Sequence, residues 1–229
     1  MHIVSDGSLT VADLQNALTW WAGEKSFSHW KDVVDYHHQH GREALVQFAN
    51  NSILGRKFAA ILQFAEQGAT LWCDTDILWF KELKSLPVFD SNSKTPVLKI
   101  AEDYQESYDQ NLINHSLEHL HTPPYFNTGL VFLQGNLLQA CDVEGLLSLA
   151  AKTSNHFTEQ TLLAVAFSRL GQDYWSKEEI ACFETDKLSL APTYLGRSWT
   201  ARHYVGPVRY SFWRDALVLR VFSSNNSAS

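Results

Sequence analysis

The chain has little cysteine, no surplus of basic residues and no long apolar run, and each shortage removes a class of explanation. Cys73, Cys141 and Cys182 are odd in number, widely spaced and form no C-x-x-C pair. Neither a disulfide framework nor a zinc knuckle is therefore indicated, and a reducing, cytoplasmic setting is expected. Against 25 acidic residues stand 18 basic ones, for a net charge of −7. That balance disfavours a nonspecific electrostatic grip on nucleic acid or anionic lipid, so a phosphate-bearing ligand would need local cations or a metal. No run approaches the roughly 18 apolar residues of a membrane-crossing helix, so no integral membrane segment is expected. The opening MHIVSDGS lacks the charged and apolar regions of a signal peptide. Internal repeats and low-complexity blocks are also absent.

What is present is an ordinary apolar fraction, 45%, with eight Trp and thirteen Phe among 229 residues. This is enough for one sizeable core, and a single domain over residues 1–222 is expected, with 223–229 as a disordered tail. HIVSDGS reads as a strand running into an Asp-Gly turn, and Thr10 with Asp13 caps a helix through VADLQNALTWWA. KDVVDYH reads as a second strand followed by a loop. Asn51 or Ser52 caps a helix through ILGRKFAAILQFAEQ, where Leu54, Phe58, Ile61, Leu62 and Ala65 make an apolar stripe and Gly68 a stop. ATLWC then reads as a buried strand. TPVLKIA and YFNTGLVFLQ are further strands, separated by a polar helix near NLINHSLEHL that ends at Pro123-Pro124. Helices are expected around LLQACDVEGLLSLAAKT and TEQTLLAVAFSRL, and ARHYVGPVRYSFW as a loop entering a terminal helix or strand. The alternation predicts an α/β sandwich with binding loops at the carboxyl ends of its strands.

The stretch LWCDTDILWF places Asp74 and Asp76 between two apolar flanks, where their charges need a partner. Oxygen-only anionic ligation suits Mg²⁺ or Mn²⁺, which take remaining ligands from water and substrate phosphates. In a regular strand the two residues would lie about 6.5–7 Å apart, too far for a tight shared ligand unless the chain bends. Three other features accompany the pair. Arg56 and Lys57 occupy the opening turn of a helix, where the macrodipole disfavours cations and calls for compensation. Asn127-Thr128-Gly129 interrupts an apolar strand, either as an internally satisfied bulge or where glycine admits a ligand. ARHYVGPVRYSFW gathers a metal-capable histidine, a glycine, an arginine and a tryptophan. By contrast YHHQH, with His37, His38 and His40, reads as a solvated face rather than a zinc site.

LWCDTDILWF, FNTGLVF, TEQTLL and RHYVGPVRYSFW, in this order, resemble the nucleotide-sugar-dependent glycosyltransferases of the GT-A fold. They are most similar to the retaining enzymes of glycosyltransferase family 8, over about residues 53–213. The resemblance implies a GT-A-type α/β/α sandwich with a mixed, mostly parallel sheet. It implies Mn²⁺ (or Mg²⁺) on Asp74, Asp76 and His203, bridging the diphosphate of a donor such as a UDP-sugar. Arg56 or Lys57 would touch the donor or the first aspartate, with Thr75 also on the donor side. Asn127, Thr128, Glu159 and Gln160 would line the sugar pocket, with Asn127, Glu159 and Gln160 in catalytic positions. Gly206 and Arg209 would cover the diphosphate, Arg209 standing where the family commonly has lysine. Family members also begin with an extra strand that helps hold the base, whereas this chain starts at what reads as the second. Asp6 could take over a nucleoside contact or serve only its Asp-Gly turn.

The resulting expectation is a metal-dependent transferase that moves a sugar to a carbohydrate, lipid-linked or protein acceptor with retention. Attack would be front-face or through an intermediate near Glu159 and Gln160; an inverting enzyme would need Asp103 or Glu159 as general base. Trp199 and Trp213 flank the donor loop and belong to the core or to the acceptor side. The alternative is a noncatalytic nucleotide-sugar or carbohydrate-binding module on the same scaffold. A haloacid dehalogenase phosphatase does not fit the Ile77-Leu78 continuation, and a calcium loop lacks its glycine and terminal glutamate.

Overall fold

A computed structural model describes residues 1–84, 86–87, 95–113, 115–171, 173–182 and 191–226. The N-terminal strand β1 (His2–Ser5) forms as the sequence predicts, and helix α1 (Val11–Ala17) starts where expected, with Thr10 and Asp13 closing a reciprocal capping box, but it stops at Ala17 instead of running on through Trp20 and Trp21. The next segment differs from expectation. KDVVDYH is helical, inside α2 (Trp30–Gln39), and the strand is the preceding SFSH, β2 (Ser26–His29), paired parallel to β1. The reason is a second capping box, in which His29 and Asp32 start the helix just ahead of the β-branched Val33 and Val34.

Helices α3 (Glu43–Asn51) and α4 (Ile53–Gln67) follow, and Ser52 supplies the cap of α4 by accepting from Leu54 N–H at 3.2 Å. Strand β3 (Thr70–Cys73) lies at the edge of a sheet ordered β3-β6-β5, with β5 at Val97–Asp103 and β6 at Tyr125–Gln134. The edge position leaves Leu71 exposed, so this strand is not the buried one the apolar run predicts. The longest strand, β6, is central and buried on both faces: Val131 and Leu133 join the main core while Leu130 and Phe132 face a second cluster with Ile77, Trp175 and Ala201. The main core is closed by α2, α3, α4, α6 (Glu144–Thr153) and α7 (Thr158–Leu170). The expected helix before α6 is broken, because Cys141 turns extended after α5 (Leu137–Ala140). The polar helix near residue 115 is a 3₁₀ segment, His115–His121.

A third sheet is ordered β4-β8-β7, from β4 (Ile77–Trp79), β7 (Ile180–Cys182) and β8 (Ala201–His203). Among the described residues the protein is therefore α/β with small mixed sheets and no barrel. Parallel pairing does not predominate: β1/β2 and β7/β8 are parallel, but β3/β6, β5/β6 and β4/β8 are antiparallel. An apolar run reads the same in either direction, so sequence pattern carries no strand polarity. The terminal segment becomes a 3₁₀ turn, Gly206–Val208, then α8 (Arg209–Asn226), which takes in the first part of the expected tail; 227–229 lie outside the described residues.

Candidate metal centre and adjoining cleft

The D-x-D aspartates sit where the chain leaves one sheet for another. After β3 the backbone turns, and Asp74 N–H donates to Gly129 O of β6 at 2.8 Å. Asp76 O accepts from Tyr204 N–H at 2.9 Å, just beyond β8, and Ile77 pairs with His203. This turn removes the separation expected of a continuing strand. One ligand atom from each of Asp74, Asp76 and His203 lies within 4.8 Å of the others, the only such metal-capable group among the described residues.

The interruption in β6 accounts for the imidazole's place. Ile100 pairs with Val131 but Ala101 pairs with Asn127, so Thr128, Gly129 and Leu130 bulge from the ladder. Asn127 Oδ1 accepts from Gly129 N–H at 2.8 Å, satisfying the bulge internally. The same oxygen is 2.8 Å from His203 Nδ1 and can only accept, so Nδ1 carries the proton. Nε2 then faces the carboxylates, 3.0 Å from Asp76 Oδ1 and 4.0 Å from Asp74 Oδ2. A protonated imidazole donates from Nε2 to Asp76; a divalent cation taking the place of that proton would meet two carboxylates and one nitrogen, a donor set that suits it. Glycine at 129 admits not a ligand but the His203 ring itself.

Protein cations already hold both carboxylates. Lys57 Nζ donates to Asp74 Oδ2 at 3.0 Å and Thr128 O at 2.9 Å, and lies 3.6 Å from Glu159 Oε2. Burial works against its charge, but Glu159 and Asp74 outweigh burial and raise its pKa. Arg209 Nε donates to Asp76 Oδ2 at 3.0 Å, and Trp72 Nε1 donates to Asp74 Oδ1 at 2.7 Å. Burial likewise opposes ionisation of Asp76, but the hydrogen bonds and charges of His203 and Arg209 hold its pKa below the usual value.

Beside the cluster opens a cleft of about 320 Å³ lined by Lys57, Asp74, Asp103, Asn127, Thr128, Glu159, Gln160, His203, Gly206 and Arg209. Glu159 Oε2 accepts from Thr128 Oγ1 at 3.0 Å, while its buried Oε1 has no partner. Burial, reinforced by Asp74 and opposed by Lys57, pushes Glu159 up to about 7. Asp103 is also raised by burial, although Asn127, 3.3 Å away, donates to it. Gln160 Nε2 donates to Ser107 O at 2.8 Å. Gly206 holds φ +53°, which favours glycine where the loop passes the cleft.

Some predicted residues lie elsewhere. Arg56 turns away from the cluster, its guanidinium 3.9 Å from the Trp30 ring centre and bonded to Asp6 O, so of the basic pair only Lys57 reaches an aspartate. The Asp6 carboxylate accepts from Ser8 N–H at 2.8 Å and Ser8 Oγ at 2.6 Å, which lowers its pKa and fits the turn reading. Thr75 is exposed at the tip of the D-x-D turn and does not line the cleft. Trp199 is buried near Arg202, whereas Trp213 is exposed. The three neighbouring histidines diverge: His37 bonds Ala59 O, His38 lies by Glu43 and His40 bonds Tyr36 O. Sequence reasoning missed Trp72, whose place two residues before Asp74 was a usable signal, and the lining residues Tyr104, Ser107, His156 and Phe157.

Comparison with protein-family models, curated proteins and solved structures returned no match.

Proposed function

We propose that the protein is a divalent-metal-dependent glycosyltransferase that takes a sugar from a nucleoside-diphosphate donor on a GT-A-like scaffold. The observation that carries this reading is the convergence of Asp74, Asp76 and His203 beside a cleft lined by the cations Lys57 and Arg209 and by Asp103, Asn127, Thr128, Glu159 and Gln160. Manganese or magnesium held by those three residues would offset charge on the donor diphosphate and on the leaving oxygens.

This chain's own residues would do the rest. In transfer the anomeric C–O bond breaks and its electron pair leaves with the diphosphate, while an acceptor hydroxyl forms the new bond and loses its proton. Arg209, exposed at the cleft rim, can offer its guanidinium to the departing phosphate, and Lys57 adds fixed positive charge from below. Both are present before the reaction, so little reorganisation is required. The unpartnered Glu159 Oε1 can accept from a sugar hydroxyl, while Asn127 and Gln160, held by Asp103 and Ser107, set the shape of the pocket. Retention follows the resemblance and is part of the proposal.

Calorimetry with Mn²⁺ and a panel of nucleoside diphosphates, run beside a donor-hydrolysis assay, tests it. Mn²⁺-dependent diphosphate binding and turnover, both lost in Asp76→Ala with circular dichroism unchanged, is the expected result. Binding without turnover would favour a noncatalytic module, and no Mn²⁺ binding would end the metal reading.

A further inference from the structure

Four residues that line the cleft have no task in the metal site or in the polar pocket: Tyr104, Gln105, His156 and Phe157. They come from the loop after β5 and the turn before α7, whereas the charged side of the cleft comes from α4, the D-x-D turn, β8 and the start of α8. Phe157 is 38% exposed, an unusual cost for a phenylalanine at a helix start. Its backbone is nevertheless pinned. Asn155 Oδ1 accepts from Phe157 N–H at 2.8 Å, and Phe157 O accepts from Thr161 N–H at 2.9 Å. Thr158 Oγ1 accepts from Asn155 N–H at 2.7 Å and donates to the fully buried Asp109 at 2.5 Å. The His156 ring meets Phe157 edge-on, with centres 5.3 Å apart. Facing the same space, Tyr104 is half-buried and its N–H is fixed on Asp103 Oδ1 at 2.7 Å. A ring held into a cleft by its own turn gives up little freedom when a ligand covers it.

We propose that these four residues form a saccharide subsite, with Phe157 against the apolar face of a pyranose ring and Gln105 and His156 toward its hydroxyl groups. The inference rests on the transferase reading for the role of that sugar, which is the acceptor. A pyranose carries C–H bonds on its faces and hydroxyls around its rim, so an aromatic surface edged by an amide and an imidazole matches it. No lysine or arginine stands among the four, and the diphosphate is drawn instead to Lys57 and Arg209. Other acceptor classes fit less well. A lipid chain needs a continuous apolar lining, but only Leu54, Phe157 and Val205 are wholly apolar side chains in this cleft. A peptide added as a strand needs a free edge on β5, and both edges are taken. One pairs with β6; on the other, Trp175 N–H donates to Ile100 O at 3.0 Å and Trp175 O accepts from Glu102 N–H at 2.8 Å.

Saturation-transfer nuclear magnetic resonance on the full chain, with and without Mg²⁺ and UDP, tests this without reference to turnover. The probes are the methyl glycosides of glucose, galactose, mannose and N-acetylglucosamine, with lactose, maltose and geranyl phosphate. At least one sugar should receive saturation, strongest on the protons of one ring face. Phe157→Ser should weaken its binding about tenfold, and Phe157→Tyr should retain it. Trp20→Ser, at an exposed tryptophan elsewhere, should leave it unchanged. The side chains at 157 and 20 are exposed, and circular dichroism would confirm that each variant folds. Absence of any sugar signal in the wild type, or a signal unaffected by Phe157→Ser, overturns the proposal. Geranyl phosphate binding lost in Phe157→Ser, with no sugar bound, would overturn it in favour of a lipid-linked acceptor. Sugar binding by a chain that binds neither Mn²⁺ nor UDP would uphold the saccharide site and remove the transferase reading. Mn²⁺-dependent donor turnover with no sugar bound would do the reverse.

Discussion

The imidazole of His203 lies directly over Gly129, so closely that a β-carbon there would come within 2.3–2.8 Å of three ring atoms. Gly129→Ala must therefore displace the ring. Expected outcomes are a loss of about 10–100-fold in Mn²⁺ affinity and a destabilisation of about 1–3 kcal/mol. Calorimetry and urea unfolding would read the two separately, and unchanged metal affinity would show that His203 is not a ligand.

Arg209 has two opposed effects, because its guanidinium pairs with the carboxylate that a metal would use. Arg209→Ala should bind Mn²⁺ alone as tightly as the wild type or more tightly, yet bind a nucleoside diphosphate in the presence of Mn²⁺ about tenfold or more weakly. Electron paramagnetic resonance of free Mn²⁺ measures the first effect and a diphosphate titration the second. Both affinities moving in the same direction would contradict the assignment.

Two buried groups should give pH dependences of opposite sign. His37 is fully buried, donates from Nε2 to Ala59 O at 2.9 Å and is held neutral, its pKa lowered to about 4 chiefly by burial. Its contribution is present above pH 6.5 and lost as pH falls toward 4. Glu159, raised to about 7, behaves conversely: stability is greatest where it is protonated and declines as pH rises from 4.5 toward 7. Each effect is at most about 3 kcal/mol, so they offset one another in the wild type. Urea unfolding in the presence of a chelator should show stability falling with pH across this range in His37→Gln and rising in Glu159→Gln. Parallel profiles in all three proteins would refute the account.

Asp215 is fully buried and accepts from Tyr204, Thr193 and Arg214. Replacing it by Ala leaves these donors without their acceptor and should destabilise by about 3–5 kcal/mol. Asp215→Asn, which keeps the shape and one acceptor oxygen, should cost less. Chemical denaturation of the two variants would order them.

Much of this arrangement was legible in the sequence because its signals are local. The stripe of α4, the mostly apolar β6 and the capping box at Thr10 are each specified by neighbouring residues. KDVVDYH misled because Val33 and Val34 favour a strand in isolation, while the cap that decides the matter lies at His29 and Asp32. Strand polarity was not readable, because an apolar run carries no direction, nor was the bend that brings Asp74 and Asp76 together, which depends on partners more than 50 residues away, Gly129 and Tyr204. The Asn-Thr-Gly interruption was visible, but its purpose depends on His203, which arrives from β8.

The D-x-D turn is anchored on one side to β6 and on the other to β8, so its carboxylates and the imidazole straddle a seam between two sheets. An ion seated there would rivet that seam. The melting temperature of the protein should then climb with the logarithm of the manganese concentration once the site saturates, making heat resistance itself a gauge of occupancy.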